Sequence, residues 1–186
     1  MLKNTPTQYG SVSRFFHWII ALLIIGMLIF GYLMTGLSLL NIHKCIGMFI
    51  LTLAAVRLIW TLFSTHPKLP ENNPKLDTIA ARTVQVLLYV CMFGMPLSGW
   101  AMATAFGEAP HIYNLNFPMP GIGINQDLGS IAESIHGTLA IILIILLCLH
   151  ALGACKHFLI DRDNVLESML PIFVTKILHK FFRRVA

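Results

Sequence analysis

Apolar residues along this chain gather into four long blocks, at residues 16–34, 42–63, 83–105 and 131–155, separated by polar stretches rich in Pro, Gly and Asn. Each block approaches or exceeds the ~20 residues an α-helix needs to cross a ~30 Å hydrocarbon layer. Lipid offers no hydrogen bonds, so a crossing segment must satisfy its backbone internally, and the pattern predicts helices. The link at 35–41 is short enough to make the first two spans antiparallel neighbours. Residues 66–76 hold Pro67, Pro70, Pro74 and the pair Asn72-Asn73, which predict extended turns. Residues 106–130 form the longest connection and are expected to cap one end of the bundle. The expected fold is all-α: an up-down transmembrane four-helix bundle, one domain over 1–186. After Pro171, Ile177, Leu178, Phe181 and Phe182 oppose Lys176, Lys180, Arg183 and Arg184, so residues 172–186 predict a short basic amphipathic helix on the membrane surface. The first block is too long for the apolar core of a cleaved signal peptide, and no small-x-small site follows it.

Composition agrees with the pattern. The chain of 186 residues is 56% hydrophobic and 11% charged, with mean hydropathy +0.76, which excludes an ordinary soluble domain. The basic residues set the orientation. Of thirteen Lys and Arg, all but Lys44 fall on one side if the N-terminus lies inside: Lys3, Arg14, Arg57, Lys68, Lys75, Arg82, Lys156, Arg162 and the tail cations. The positive-inside rule then places both termini in the cytoplasm. The net charge of +5 therefore reports topology and not nucleic-acid binding. Cys45, Cys91, Cys148 and Cys155 fall in spans, where cysteine behaves as a small hydrophobe. No Cys-x-x-Cys-His motif occurs, which argues against covalently attached haem.

Four histidines stand near the ends of the spans: His17, His43, His136 and His150. An ionisable or metal-binding ring inside lipid is costly and points to function. His136 and His150 share one span, ~21 Å apart along a helix and on roughly one face. Alternating chain direction puts His17 level with His150 on the inner side and His43 level with His136 on the outer side. Two imidazoles at each level suit two stacked haems better than zinc or copper, which would want further ligands at the same depth. Residues four positions on, Ala21, Gly47, Ala140 and Ala154, are small, as a face against a porphyrin requires. His157 lies seven residues beyond His150 on the same face, with Asp161 four further on, so His150 is the expected inner ligand.

These histidines sit among motifs that resemble the bacterial cytochrome b561 family. The resemblance rests on Tyr9, His17-Trp18, Ile42-His43 with Gly47, Val56-Arg57-Leu58, Tyr89, Pro96-Leu97-Ser98-Gly99, His136 and His150, and covers about residues 9–171. It implies two non-covalent b-type haems with those four histidines as axial ligands, and electron exchange with a membrane quinone. Members of the family pass electrons from superoxide to ubiquinone, and related haem subunits anchor dehydrogenases. Two features depart from the pattern. Gln85 stands where many members have a histidine, and the outer loops carry Glu108, Asp127 and Glu133 against Lys44, a poor field for steering anionic superoxide.

The sequence is thus read as a di-haem b-type cytochrome of the bacterial inner membrane, exchanging electrons between an outer-side donor and quinone, with ubiquinone as the expected substrate. Arg14 and Arg57, at the inner rim, are candidate partners for haem propionates. Trp18, Trp60 and Trp100 are read as interfacial anchors. A haem-bearing anchor subunit of a larger dehydrogenase, and a haem-free transporter or proton relay, remain as alternatives.

Overall fold

The fold is taken from a computed structural model that describes residues 1–34, 37–65, 67, 74–171 and 174–175. Four long helices make up most of it: α1 (Ser11–Leu33), α2 (Leu37–Leu62), α3 (Lys75–Ala105) and α4 (Gln126–Lys156). All four are long and apolar enough to cross a membrane. Both α1 and α3 start, and both α2 and α4 finish, at the same end of the bundle, called here the terminal end. The opposite end is the loop end. A π-helical turn, His157–Asp161, and a short helix α5, Val165–Met169, follow α4.

Several helices start earlier than hydropathy suggests, because polar first turns do not register as apolar. The 126–130 stretch, read from sequence as loop, is the first turn of α4. The Asn125 side chain accepts from the Leu128 amide at 2.9 Å, and Asp127 lies in the first turn. Likewise α2 includes Asn41 and most of the predicted 35–41 link, and α3 begins at Lys75. The remaining loop, 106–125, contains a two-stranded hairpin pairing His111 with Asn116 and Ile112 with Leu115. Asn41 fastens this hairpin to α2 in both directions, donating to the His111 carbonyl and accepting from its amide. The expected tail helix at 172–186 lies outside the described residues apart from 174–175.

The tryptophans at the span ends act as clasps. Trp60 Nε1 donates to Ser13 Oγ at 2.9 Å, tying α2 to α1. Trp18 Nε1 donates to the Met169 carbonyl at 2.9 Å, and Trp100 Nε1 to the Phe117 carbonyl at 2.7 Å. At the terminal end Lys156 joins Asp77 of α3 at 2.7 Å and Asp161 at 2.8 Å.

The apolar core is a layer at mid-height. Ile20 and Ile24 of α1, Ile50 and Ala54 of α2, Cys91 and Met92 of α3, and Leu143 and Leu146 of α4 form it. The opposite faces, for example Leu22, Ile25, Ile29, Ile144, Ile145 and Leu152, are exposed, as a lipid-facing surface requires. Close backbone approach runs from α1 to α2, α2 to α3 and most extensively α3 to α4. Among the described residues α4 makes no comparable backbone approach to α1 or α2, so a slot, filled by side chains at mid-height, separates them.

Tight packing at the start of α4 centres on Gly129, where an added Cβ would clash with the edge of the Phe106 ring. Gly129→Ala must therefore displace that ring and should cost about 1–3 kcal/mol. Thermal unfolding followed by helical circular dichroism in detergent should show a lower midpoint; an unchanged midpoint would refute this packing.

Candidate functional site

The slot between α4 and the α1–α2 pair is bridged at two levels, each time by two histidines. At the terminal end, His17 of α1 and His150 of α4 have ring centroids 6.1 Å apart. At the loop end, His43 of α2 and His136 of α4 are 6.3 Å apart. Two imidazoles sharing one metal, at about 2 Å from each nitrogen and roughly 1.1 Å from nitrogen to centroid, would stand roughly 6.2 Å apart. The two spacings thus fit a six-coordinate haem iron held from both faces. The apolar core layer lies between the two levels.

At the loop end the rings are carefully seated. His136 Nδ1 lies 2.9 Å from the Met95 carbonyl and 3.3 Å from Ser98 Oγ. A carbonyl only accepts, so Nδ1 carries the proton and Nε2 keeps its lone pair free for a metal. Gly99 makes this seat possible, since a Cβ there would lie 2.9 Å from His136 Cε1. His43 packs beside Gly31, where a Cβ would be 3.2 Å from its Cε1. His43 Nδ1 is buried and has no hydrogen-bond partner among the described residues.

Between these rings lies a cavity of about 70 Å³, lined by Ile24, Met27, Gly47, Met92, Met95 and Leu143 among others. Haem-sized pockets run to several hundred Å³, so side chains must withdraw for a macrocycle to enter. Met27, Met92 and Met95 are suited to this, being unbranched and readily re-packed. Gly47 keeps its flank open, with nothing within 4 Å of a Cβ placed there. The residues present therefore fit a b-type haem.

The terminal-end pair has different neighbours. Arg57 Nη2 lies 3.1 Å from His17 Nδ1, and its guanidinium sits over the Tyr89 ring at 5.7 Å. Guanidinium only donates, so His17 Nδ1 accepts here, and ligation through Nε2 would need the guanidinium to turn away from that atom. Tyr9, nearby at the start of the chain, has its phenol pKa pushed up by burial, partly offset by the charge of Arg57 and reinforced by Tyr89. Arg14 donates to the Leu170 carbonyl at 3.3 Å, and its Nε is buried without a partner among the described residues.

Several residues take roles that sequence reasoning missed. His157 does not face His17. It is buried, with Nδ1 2.7 Å from Asp163 and 3.3 Å from Asp161, on the π-helical turn. The alternation of Asp161 and Asp163 after a histidine was visible, but nothing in it revealed the turn that closes them together. Gln85 is exposed on α3. Lys44 donates to the Glu108 carbonyl at 2.6 Å and lies 3.6 Å from its carboxylate. The Pro96–Gly99 stretch, noted in sequence as a family motif, supplies the seat for His136.

A four-helix membrane bundle whose slot is bridged at two heights by facing imidazoles has the architecture of a helical membrane cytochrome. Comparison with known proteins places it more narrowly. Residues 8–171 match the family described as "Prokaryotic cytochrome b561", and the chain belongs to that family. It is 32% identical over 179 residues to "Cytochrome b561 homolog 2" of Escherichia coli strain K12, covering 90% of this chain and 93% of that protein. It is 26% identical over 172 residues to "Cytochrome b561 homolog 1" of the same organism, covering 88% and 97%. A Yersinia pestis protein called "Probable superoxide oxidase CybB" is 26% identical over 171 residues, covering 88% and 96%. Membership carries b-type haem binding and electron transport within a membrane.

The cavity makes a direct prediction. Gly47→Leu would fill the loop-end space and should lower haem content of the purified protein by about half while leaving its helical content intact. Normal haem content with unchanged spectra would mean that Gly47 serves only close helix packing.

Proposed function

We propose that the protein is a di-haem b-type cytochrome that exchanges electrons between a donor at the outer side of the bacterial inner membrane and the quinone pool. His43 and His136 hold the outer, loop-end haem; His17 and His150 hold the inner, terminal-end one. The observation that carries this reading is the matched spacing of the two pairs, at opposite ends of a shared helix. When bound, haem supplies reversible one-electron chemistry, and two histidines per iron leave no open position for other ligands. The chain contributes placement: α4 provides one ligand to each site and so fixes their separation. Arg57, 3.1 Å from His17 Nδ1, and Arg14, three residues before His17 on α1, are the proposed propionate partners.

The basic residues support an orientation with both termini in the cytoplasm. The family supports the quinone, with ubiquinone as the proposed substrate, and the whole chain acting as one domain. The haem-free transporter reading has no support once haem binding comes with the family.

Pyridine haemochrome analysis tests the stoichiometry and should give two haem b per chain. His43→Ala and His136→Ala should lose or convert to high spin the same haem; His17→Ala and His150→Ala should affect the other. One haem per chain, or a loss pattern coupling His17 with His43, would overturn the assignment.

The Yersinia relative's printed name raises superoxide as the donor for this chain as well. Local charge argues against it as a favoured donor. The loop end carries Glu108, Asp127 and Glu133, and its cation Lys44 is bound to Glu108. Like charge depletes an anionic donor, an effect screened beyond ~8–10 Å by salt. Stopped-flow reduction should be faster with a lipid-soluble quinol than with superoxide, and added salt should speed the superoxide reaction. Near-diffusion-limited superoxide reduction that slows with salt would instead make superoxide the donor.

A further inference from the structure

The two histidine pairs differ in what touches their second ring nitrogens, and the consequence drawn here rests on the haem reading above. His136 Nδ1 gives its proton to a neutral acceptor, the Met95 carbonyl at 2.9 Å. Such a bond makes the imidazole a stronger electron donor, which favours the oxidised metal. Gly99 is required for that contact, because a Cβ would press on both Cε1 and Nδ1 of the ring, at 2.9 and 3.1 Å. The Met95 carbonyl also accepts from Ser98 Oγ at 2.9 Å, which holds it toward the ring.

His17 has the opposite kind of neighbour. Arg57 is permanently charged, and its Nη2 stands 3.1 Å from His17 Nδ1. A fixed positive charge beside a redox centre favours the reduced state. The Tyr89 ring, 5.7 Å from the guanidinium carbon, holds the cation at this level even if it turns off Nδ1 on loading.

We propose that these neighbours poise the two haems unequally: Arg57 raises the potential at His17–His150, and the Met95 carbonyl, seated through Gly99, lowers it at His43–His136. Passage of an electron from the loop end to the terminal end is then downhill. With haem held by both pairs, one electron would leave the loop-end centre, oxidising it, and reduce the terminal-end centre, with no bond made or broken. Two such electrons, supplied singly by an outer one-electron donor, together with two protons would reduce one lipid quinone to quinol, which completes the balance. Arg57 and Gly99 act here as positioning residues, through the histidines.

Spectroelectrochemical titration of the purified holoprotein in its α band tests this, after haem content has been measured. Two transitions are expected, and the one missing from His43→Ala should be the lower. Arg57→Gln should shift only the upper transition, to lower potential, and Arg57→Lys should restore most of it. Gly99→Ala should shift only the lower one, upward. Two haems with the reverse order, or with both transitions unmoved in Arg57→Gln, would overturn the proposal while leaving the di-haem reading intact. If Arg57→Gln loses a haem, the order of the wild-type transitions and the Gly99→Ala shift decide. A haem content other than two would instead fail the reading beneath it.

Discussion

A polar ring inside hydrocarbon has to find a partner, and α4 carries two of them, His136 and His150, fourteen residues apart on nearly one face. This spacing governs much of the bundle. It sets two levels, and a partner at each level must come from a helix end, because α1 brings His17 at its start and α2 brings His43 at its start. Chains running in alternating directions can meet that demand only if α1 and α2 both flank the same face of α4. The slot between α4 and the other two follows from this, as does the apolar layer that fills mid-height, where neither pair reaches.

Helix α3 supplies neither histidine pair, yet it has the most extensive contact with α4. Its contribution is to hold α4 in register. Met95 and Ser98 meet His136 from one side, Gly94 approaches Leu139 closely enough that a Cβ would be 3.2 Å from its Cδ1, and Asp77 takes Lys156 at the far end. A rotation of α4 about its axis would break the first two contacts at once. The exposed ion pair alone would contribute little; the buried packing and the ring-to-carbonyl bond carry the register.

Much of this was legible in the sequence, for reasons that are physical. Span number follows from apolar length, and the level of each histidine follows from chain direction, so topology alone pairs His17 with His150 and His43 with His136. Helix starts were less legible. Asn125 and Lys75 begin helices with polar turns, which a hydropathy window counts as loop. The role of Pro96–Gly99 was visible only as a motif, because a carbonyl's partner is a matter of side-chain geometry across two helices. The contact of Arg57 with His17 was hidden for the same reason: forty residues separate them in sequence, and a cation at a span end reads first as an anchor for the inner leaflet.

The two ends of the bundle are therefore built on different chemistry, although each holds a facing pair of imidazoles. At the loop end the seat for the ring is made of backbone and small residues: the Met95 carbonyl, Gly99, Gly31 and Gly47. These give close approach and no charge. At the terminal end the neighbours are Arg57, Tyr89 and Tyr9, with Arg14 a turn away, all large and polar. Backbone and glycine fix a ring's position but cannot respond to what arrives, whereas long side chains can turn to meet an anionic group. The ring seat at the loop end is thus fixed by backbone contacts, and the terminal end is cationic and adaptable. That difference is also why Arg57, beside the Tyr89 ring, both contacts His17 and presents a charge at the end of the bundle where an anionic group would be met.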